Sequence, residues 1–185
     1  VYAVRAHMST HIAPAARAVI AAGHHGGIFF DLAGHMLDQV VWILGRPEKV
    51  TTFLRNDTGV VPDFQDNTLG VFEYERAMAL VDIAAMEPQP MARRFEIYGE
   101  RGSAILIEPF EPGHTIRLCL TEAADGYEQG EQMVAFDGIS RQGLYDLELE
   151  SLSRVIVGEQ PPDRPLDHEL LVQETLLRGT GLIAG

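Results

Sequence analysis

The run Gly26–Pro47, GGIFFDLAGHMLDQVVWILGRP, constrains the fold of this chain more than any other stretch. Two glycines open it, and Gly45 and Pro47 close it, as the boundaries of a helix require. The residues between them suffice for about four helical turns. Ile28, Phe29, Phe30, Leu32, Met36, Leu37, Val40, Val41 and Trp42 make that helix apolar nearly all round, which implies burial. Against this background Asp31, His35 and Asp38 stand at i, i+4 and i+7, on one face. A buried charge without a partner is costly, so the stripe must find partners or face a cleft. A carboxylate one turn from an imidazole can raise its pKa and orient it, a proton-handling arrangement.

The rest of the chain alternates in character around this helix. Val1–Met8 reads as a strand, and Ala13–Ala22 as a short alanine-rich helix with Pro14 in its first turn. Beyond Pro47 the pattern turns to strands: Glu48–Asn56, Asn67–Glu75, Ala77–Met86, Arg94–Tyr98, Ser103–Ile107, Thr115–Leu120 and Gln132–Phe136. Tight connections at Glu75-Arg76 and Gly99–Gly102 predict two hairpins. Helical spacing returns from Leu144 to Ile156, with Gly158 as its stop, and again over Leu166–Leu177 after the proline-rich linker Gln160–Pro165. Segregated strands and helices imply an α+β fold: one open-faced, mainly antiparallel sheet with helices packed on one face. Apolar residues on both strand faces between Leu69 and Tyr74 predict that another subunit or domain covers the second face.

The 185 residues suit one domain. A net charge of −13 argues against nucleic acid and anionic membranes as partners, since both reward a basic surface. The single cysteine, Cys119, excludes an internal disulfide and fits a reducing, cytoplasmic setting; its strand-like surroundings predict a buried small hydrophobe. The Gly26–Pro47 run is too interrupted by Asp and His to read as a membrane span. A chain that opens with Val inside a strand is expected to be a piece of a longer one.

Five histidines, His7, His11, His24, His25 and His35, fall in the first 35 residues. With Asp31 they are an alternative, metal-dependent reading, although their spacing matches no compact ligand motif. Gly179-Thr-Gly181-Leu-Ile-Ala184 mimics a dinucleotide fingerprint but follows a helix where a strand is required. Arg93-Arg94 reads as an exposed pair at a rim, able to meet an anion. No nucleophile elbow, P-loop or C-x-x-C is present, so hydrolase, nucleotide-triphosphatase and dithiol chemistries lack support.

The segment GGIFFDLAGHMLDQVVWILGRPEKV resembles the G-G-x-x-x-D-x-x-x-H-x-x-D…G-x-P signature of the Gfo/Idh/MocA oxidoreductase C-terminal domain. FEIYGERGSAIL is similar to that family's strand–G-x-x-G–strand hairpin, and LDHELLVQETLLRGTGL to its final helix. The resemblance implies a glyceraldehyde-3-phosphate-dehydrogenase-like C-terminal domain over residues 1–185, serving substrate binding and oligomerisation. It implies an N-terminal Rossmann domain, outside this chain, that binds NAD or NADP and carries a catalytic lysine. It implies a sugar, polyol or related small hydroxy compound as substrate, and a homo-oligomer built through the open sheet face. Carried over by position, His35 is the acid/base that exchanges a proton with the substrate hydroxyl, and Asp31 orients or charge-balances it. Asp38 then holds a supporting place. The resemblance assigns no cofactor-binding or metal-ligating residue to this chain. Glu48-Lys49 follows Pro47 and cannot stand for the family's E-K-P lysine, so catalysis by these residues alone is not expected. The alternative is a stand-alone binding or assembly module.

Overall fold

The computed structural model describes residues 1–23, 25–107 and 114–184. Eight strands form one sheet: β1 (Ala3–His7), β2 (Lys49–Arg55), β3 (Asn67–Tyr74), β4 (Ala77–Ala84), β5 (Arg94–Gly99), β6 (Gly102–Leu106), β7 (Thr115–Leu120) and β8 (Gly130–Ala135). Their order is β2-β3-β4-β1-β5-β6-β7-β8. Every neighbouring pair is antiparallel except β1 with β4, where Val4 lies beside Ala79 and Ala6 beside Val81. The helices among the described residues are α1 (Pro14–Gly23), α2 (Gly27–Leu44), α3 (Arg141–Ile156) and α4 (Leu166–Gly179).

The expected strands and helices are all present, and the sheet is open on one side as the pattern implies. Alternation decides which residues go where. Val4, Ala6, Phe72, Ala79, Val81 and Ile83 point to the helix side and are buried. Their neighbours Arg5, His7, Val71, Leu80 and Asp82 point to the open side.

Helix α2 packs on β3 and β4 and against α1 and α4; α4 also packs on β2. Phe29 is fully buried at the centre of this layer. A Cβ added at Gly70 of β3 would lie 2.8 Å from its ring, and one at Gly179 of α4 would lie 2.9 Å from it. Both glycines therefore let backbone approach that ring. By length and composition α2 could cross a membrane, yet its buried stripe of Ile28, Phe29, Met36, Leu37 and Val40 is committed to the sheet and α4.

The double glycine at the start of α2 has a local cause. Gly26 and Gly27 have φ of 91° and 54°, in the left-handed region. A Cβ at Gly27 would lie 2.3 Å from the carbonyl oxygen of Gln65, which accepts the Ile28 amide at 2.9 Å. The turn is thereby tied to the loop before β3. That loop is anchored by a buried pair: Arg17 of α1 lies 3.4 Å from Asp66, with side chains 5% and 1% exposed. Asp66 also accepts the amides of Asp57 and Thr58 and the Thr58 hydroxyl.

Three expectations require correction. Helix α2 is not buried all round: Trp42 is 55% exposed, and Asp31 and His35 are exposed. Cys119 is exposed on β7, because its register partner Ser103 places it on the open face. Arg93 is buried, its Nε donating to the Ser9 carbonyl at 3.4 Å, so only Arg94 is exposed. Helix α3 buries none of its residues, although Leu144, Leu147, Leu152 and Ile156 follow helical spacing.

Candidate functional site

The outward stripe of α2 divides into a covered half and an open half. In the covered half, Asp38 meets the start of α4. Its Oδ1 accepts from His168 Nε2 at 2.6 Å and from Arg164 Nε at 3.2 Å. Its Oδ2 accepts from Gln39 at 2.9 Å. Partial burial pushes the Asp38 carboxyl up, but the bonds from His168 and Arg164 outweigh that and hold it below the usual carboxylate range. One turn on, Trp42 lies under the Arg164 guanidinium at 4.0 Å and edge-on to His168. Asp38 is thus the partnered, structural member of the stripe.

In the open half, Asp31 and His35 are both exposed. Among the described residues no hydrogen bond joins them. His35 stands at the rim of a groove of about 460 Å³. Strands β5, β6 and β7 supply its floor with Phe95, Ile97, Ala104, Leu106 and Ile116. Met8, after β1, and Met36 of α2 wall it, and Leu144 in the first turn of α3 closes one side. The groove exists because α2 and α4 cover only the β2–β1 half of the sheet. Gln39, one turn from His35, is the other polar side chain among the described lining residues. Asp31 does not line it. Sequence reading missed Gln39 and Leu144: a glutamine on a helix has no distinguishing pattern, and only the fold brings Leu144 beside α2.

The open face carries a second cluster. His7 sets Nδ1 3.0 Å from Asp82 and Nε2 2.8 Å from Glu87. Hydrogen bonding to Asp82 first, and then to Glu87, outweighs burial and raises the His7 pKa above its ordinary value. Glu87 is lowered: its partial burial is outweighed by the Ala92 amide and by His7. Arg94 flanks His7 on β5, and Arg5 and Glu96 pair in the next row.

The described residues contain no group of three or more His, Cys, Asp or Glu side chains arranged to hold a metal. His24 of the histidine-rich alternative lies outside the described residues. Gly179–Ala184 forms the end of α4 and the turn after it, with Gly179 against Phe29, so it supplies no dinucleotide cradle.

Residues 1–105 match the family model described as the GFO/IDH/MocA C-terminal domain. The chain belongs to this family. The Gfo/Idh/MocA match covers α2, with Asp31, His35 and Asp38, and the strands through β5 and most of β6. Among solved structures, the chain is similar to UDP-N-acetylglucosamine 3-dehydrogenase from Acidithiobacillus ferrooxidans: TM-score 0.74, 19% identity, covering 98% of this chain and 54% of that one. It is also similar to the WlbA dehydrogenase from Bordetella pertussis, solved with NADH and UDP-GlcNAcA: TM-score 0.63, 14% identity, covering 97% of this chain and 52% of that one. These likenesses are of fold, and the chain spans about half the length of the structures it matches. A search of curated protein sequences gave no match. The chain is therefore an oxidoreductase-type C-terminal domain with the open α+β sheet of the family.

Proposed function

We propose that this domain is the substrate-side half of an NAD(P)-dependent oxidoreductase acting on a sugar, polyol or related small hydroxy compound. The observation that carries the reading is the position of His35: exposed, on the family-matched helix, at the rim of the groove. In the oxidation direction an imidazole nitrogen of His35 takes the hydroxyl proton as the C–H bond of the same carbinol carbon breaks. In the reverse direction it returns that proton to the carbonyl oxygen. Asp31, one turn away on α2, orients or charge-balances it in this reading. The nicotinamide supplies or accepts the hydride when bound. It belongs to an N-terminal domain preceding Val1, which the length of the matched structures supports.

The open sheet face is the assembly surface in this reading, in a cytoplasmic homo-oligomer. Phe53, Met78 and Met133 are exposed there beside the mixed charges of Arg5, Asp82, Arg94 and Glu96. The test is an assay of the full-length protein for nicotinamide reduction by small hydroxy compounds. Activity lost on changing His35, with cofactor affinity retained, supports the reading; a full-length protein that reduces no nicotinamide contradicts it.

A further inference from the structure

The helix-side face of β5, β6 and β7 is built to be covered, and α2 and α4 leave it open. Register carries that face across the sheet: Val4 lies beside Ile97, Ile97 beside Ala104 and Ala104 beside Leu118. Ile97, Ala104, Leu106, Ile116, Leu118 and Leu120 thus share the side on which Val4, Phe72 and Ile83 are fully buried. On β7 the alternate residues Thr115, Arg117 and Cys119 turn the other way, so the strand is apolar only toward the helix side. Yet all six apolar residues are only half-buried, because α2 and α4 pack on β2, β3 and β4.

These residues floor one continuous trough. A groove of about 610 Å³ at the Val1 end and the groove of about 460 Å³ at the His35 end share Ile97 and Ala104. Arg76, Glu100 and Arg101 line the Val1 end, giving the apolar floor and charged rim of a protein interface. Leu144 reaches the other end from the first turn of α3. After it Tyr145, Leu149, Leu152 and Ile156 recur at i, i+4, i+7 and i+11, one stripe of α3, and each is more than half exposed. We propose that the trough and this stripe seat the domain that precedes Val1, which thereby closes the groove beside His35. The inference rests on the reading above that such a domain exists. Two observations name it, rather than a second copy, as the occupant. Val1 itself lines the trough, and the Tyr2 amide beside it donates to the Tyr98 carbonyl at 2.9 Å. A domain joined to Val1 therefore starts on this floor, at an effective concentration that a separate chain does not match. The chain also spans about half the length of the structures it matches, which leaves a domain of similar size to cover the surface. His35 then works at a domain interface, a preferred place for small-molecule sites.

The test uses the full-length protein. In one variant a photo-reactive benzophenone amino acid replaces Leu149, which is exposed on α3. Irradiation, digestion and mass spectrometry are expected to show it linked to a peptide preceding Val1. In a second variant, Leu118→Cys is combined with Cys119→Ser, and maleimide labelling is followed on that peptide alone. The thiol is expected to react at least about tenfold more slowly than in urea, since a covered group reacts only through openings. Links confined to residues 1–185, in the same chain or a second copy, overturn the proposal. So does the absence of any link, or labelling of Leu118→Cys as fast as in urea. Failure of the premise reads differently. An intact mass that leaves no domain before Val1 sinks the functional reading and this inference together. A preceding domain that does not link to α3 sinks the docking surface alone. Turnover intact in His35→Gln, with α3 linked, sinks the proton-handling role alone.

Discussion

Asp38 Oδ1 lies 2.6 Å from His168 Nε2, and this contact, between residues far apart in the chain, fixes the start of α4 on the fourth turn of α2. Arg164 adds a second bond to the same oxygen. The third acidic-stripe residue is consumed in holding two helices together, while Asp31 and His35 stay open.

Asp38→Asn should therefore cost stability rather than chemistry. Asp38 and Arg164 are part-exposed while the His168 side chain is nearly buried, so the loss should be about 1–2 kcal/mol. The Asp38 pKa is depressed in the folded state, so its contribution is present above the ordinary carboxylate pKa and disappears as pH falls through the folded value. Urea denaturation at pH 7 should separate wild type from variant, and the gap should close in acid.

His7 has the opposite sign. Its folded pKa is raised, so its stabilisation is complete below about pH 6.5 and is lost as pH rises through the folded value. His7→Gln should be less stable than wild type at pH 6 and nearly equal at pH 9. Thermal melts at the two pH values check this; a gap that widens in alkali would contradict it.

Arg17 and Asp66 form the buried pair beneath the loop before β3. Asp66→Ala leaves the guanidinium buried and unpaired and frees the amides of Asp57 and Thr58. A loss of about 3–5 kcal/mol is expected, read from the midpoint of chemical denaturation.

Gly27 and Gly45 both have positive φ, but only Gly27 is crowded. Gly45→Ala should cost about 1–3 kcal/mol, backbone strain alone, because φ 75° with ψ −145° is a conformation essentially confined to glycine. Gly27→Ala adds, to left-handed strain of about 1–2 kcal/mol, a clash with the Gln65 backbone that should cost about 1–3 kcal/mol more. A Gly27→Ala loss under about 1 kcal/mol, read from chemical denaturation, would contradict the tie between α2 and the Gln65 loop.

Much of this architecture was legible because its signals are local. Gly26, Gly45 and Pro47 bracket α2, and the alternation Thr68, Gly70, Phe72 against Leu69 and Val71 marks the faces of β3. What was hidden depends on distant chain. Arg17 in an alanine-rich helix gives no sign that Asp66 awaits it. Cys119 is exposed because an eighth strand and an open face place it so, and a six-residue apolar run cannot report which face it shows. The groove was unreadable for the same reason: it arises where α2 and α4 stop covering the sheet. Helix α3 carries apolar residues at helical spacing, and periodicity alone says nothing of whether a partner covers them.

Steady-state turnover of the full-length enzyme carrying His35→Gln, beside nicotinamide cofactor affinity measured separately, tests the proton-handling role of His35 most directly. A proton-handling His35 predicts a fall in kcat of about a hundredfold or more with cofactor affinity unchanged. Turnover within about twofold of wild type would remove His35 from the chemistry and, with it, the functional reading of the groove it borders.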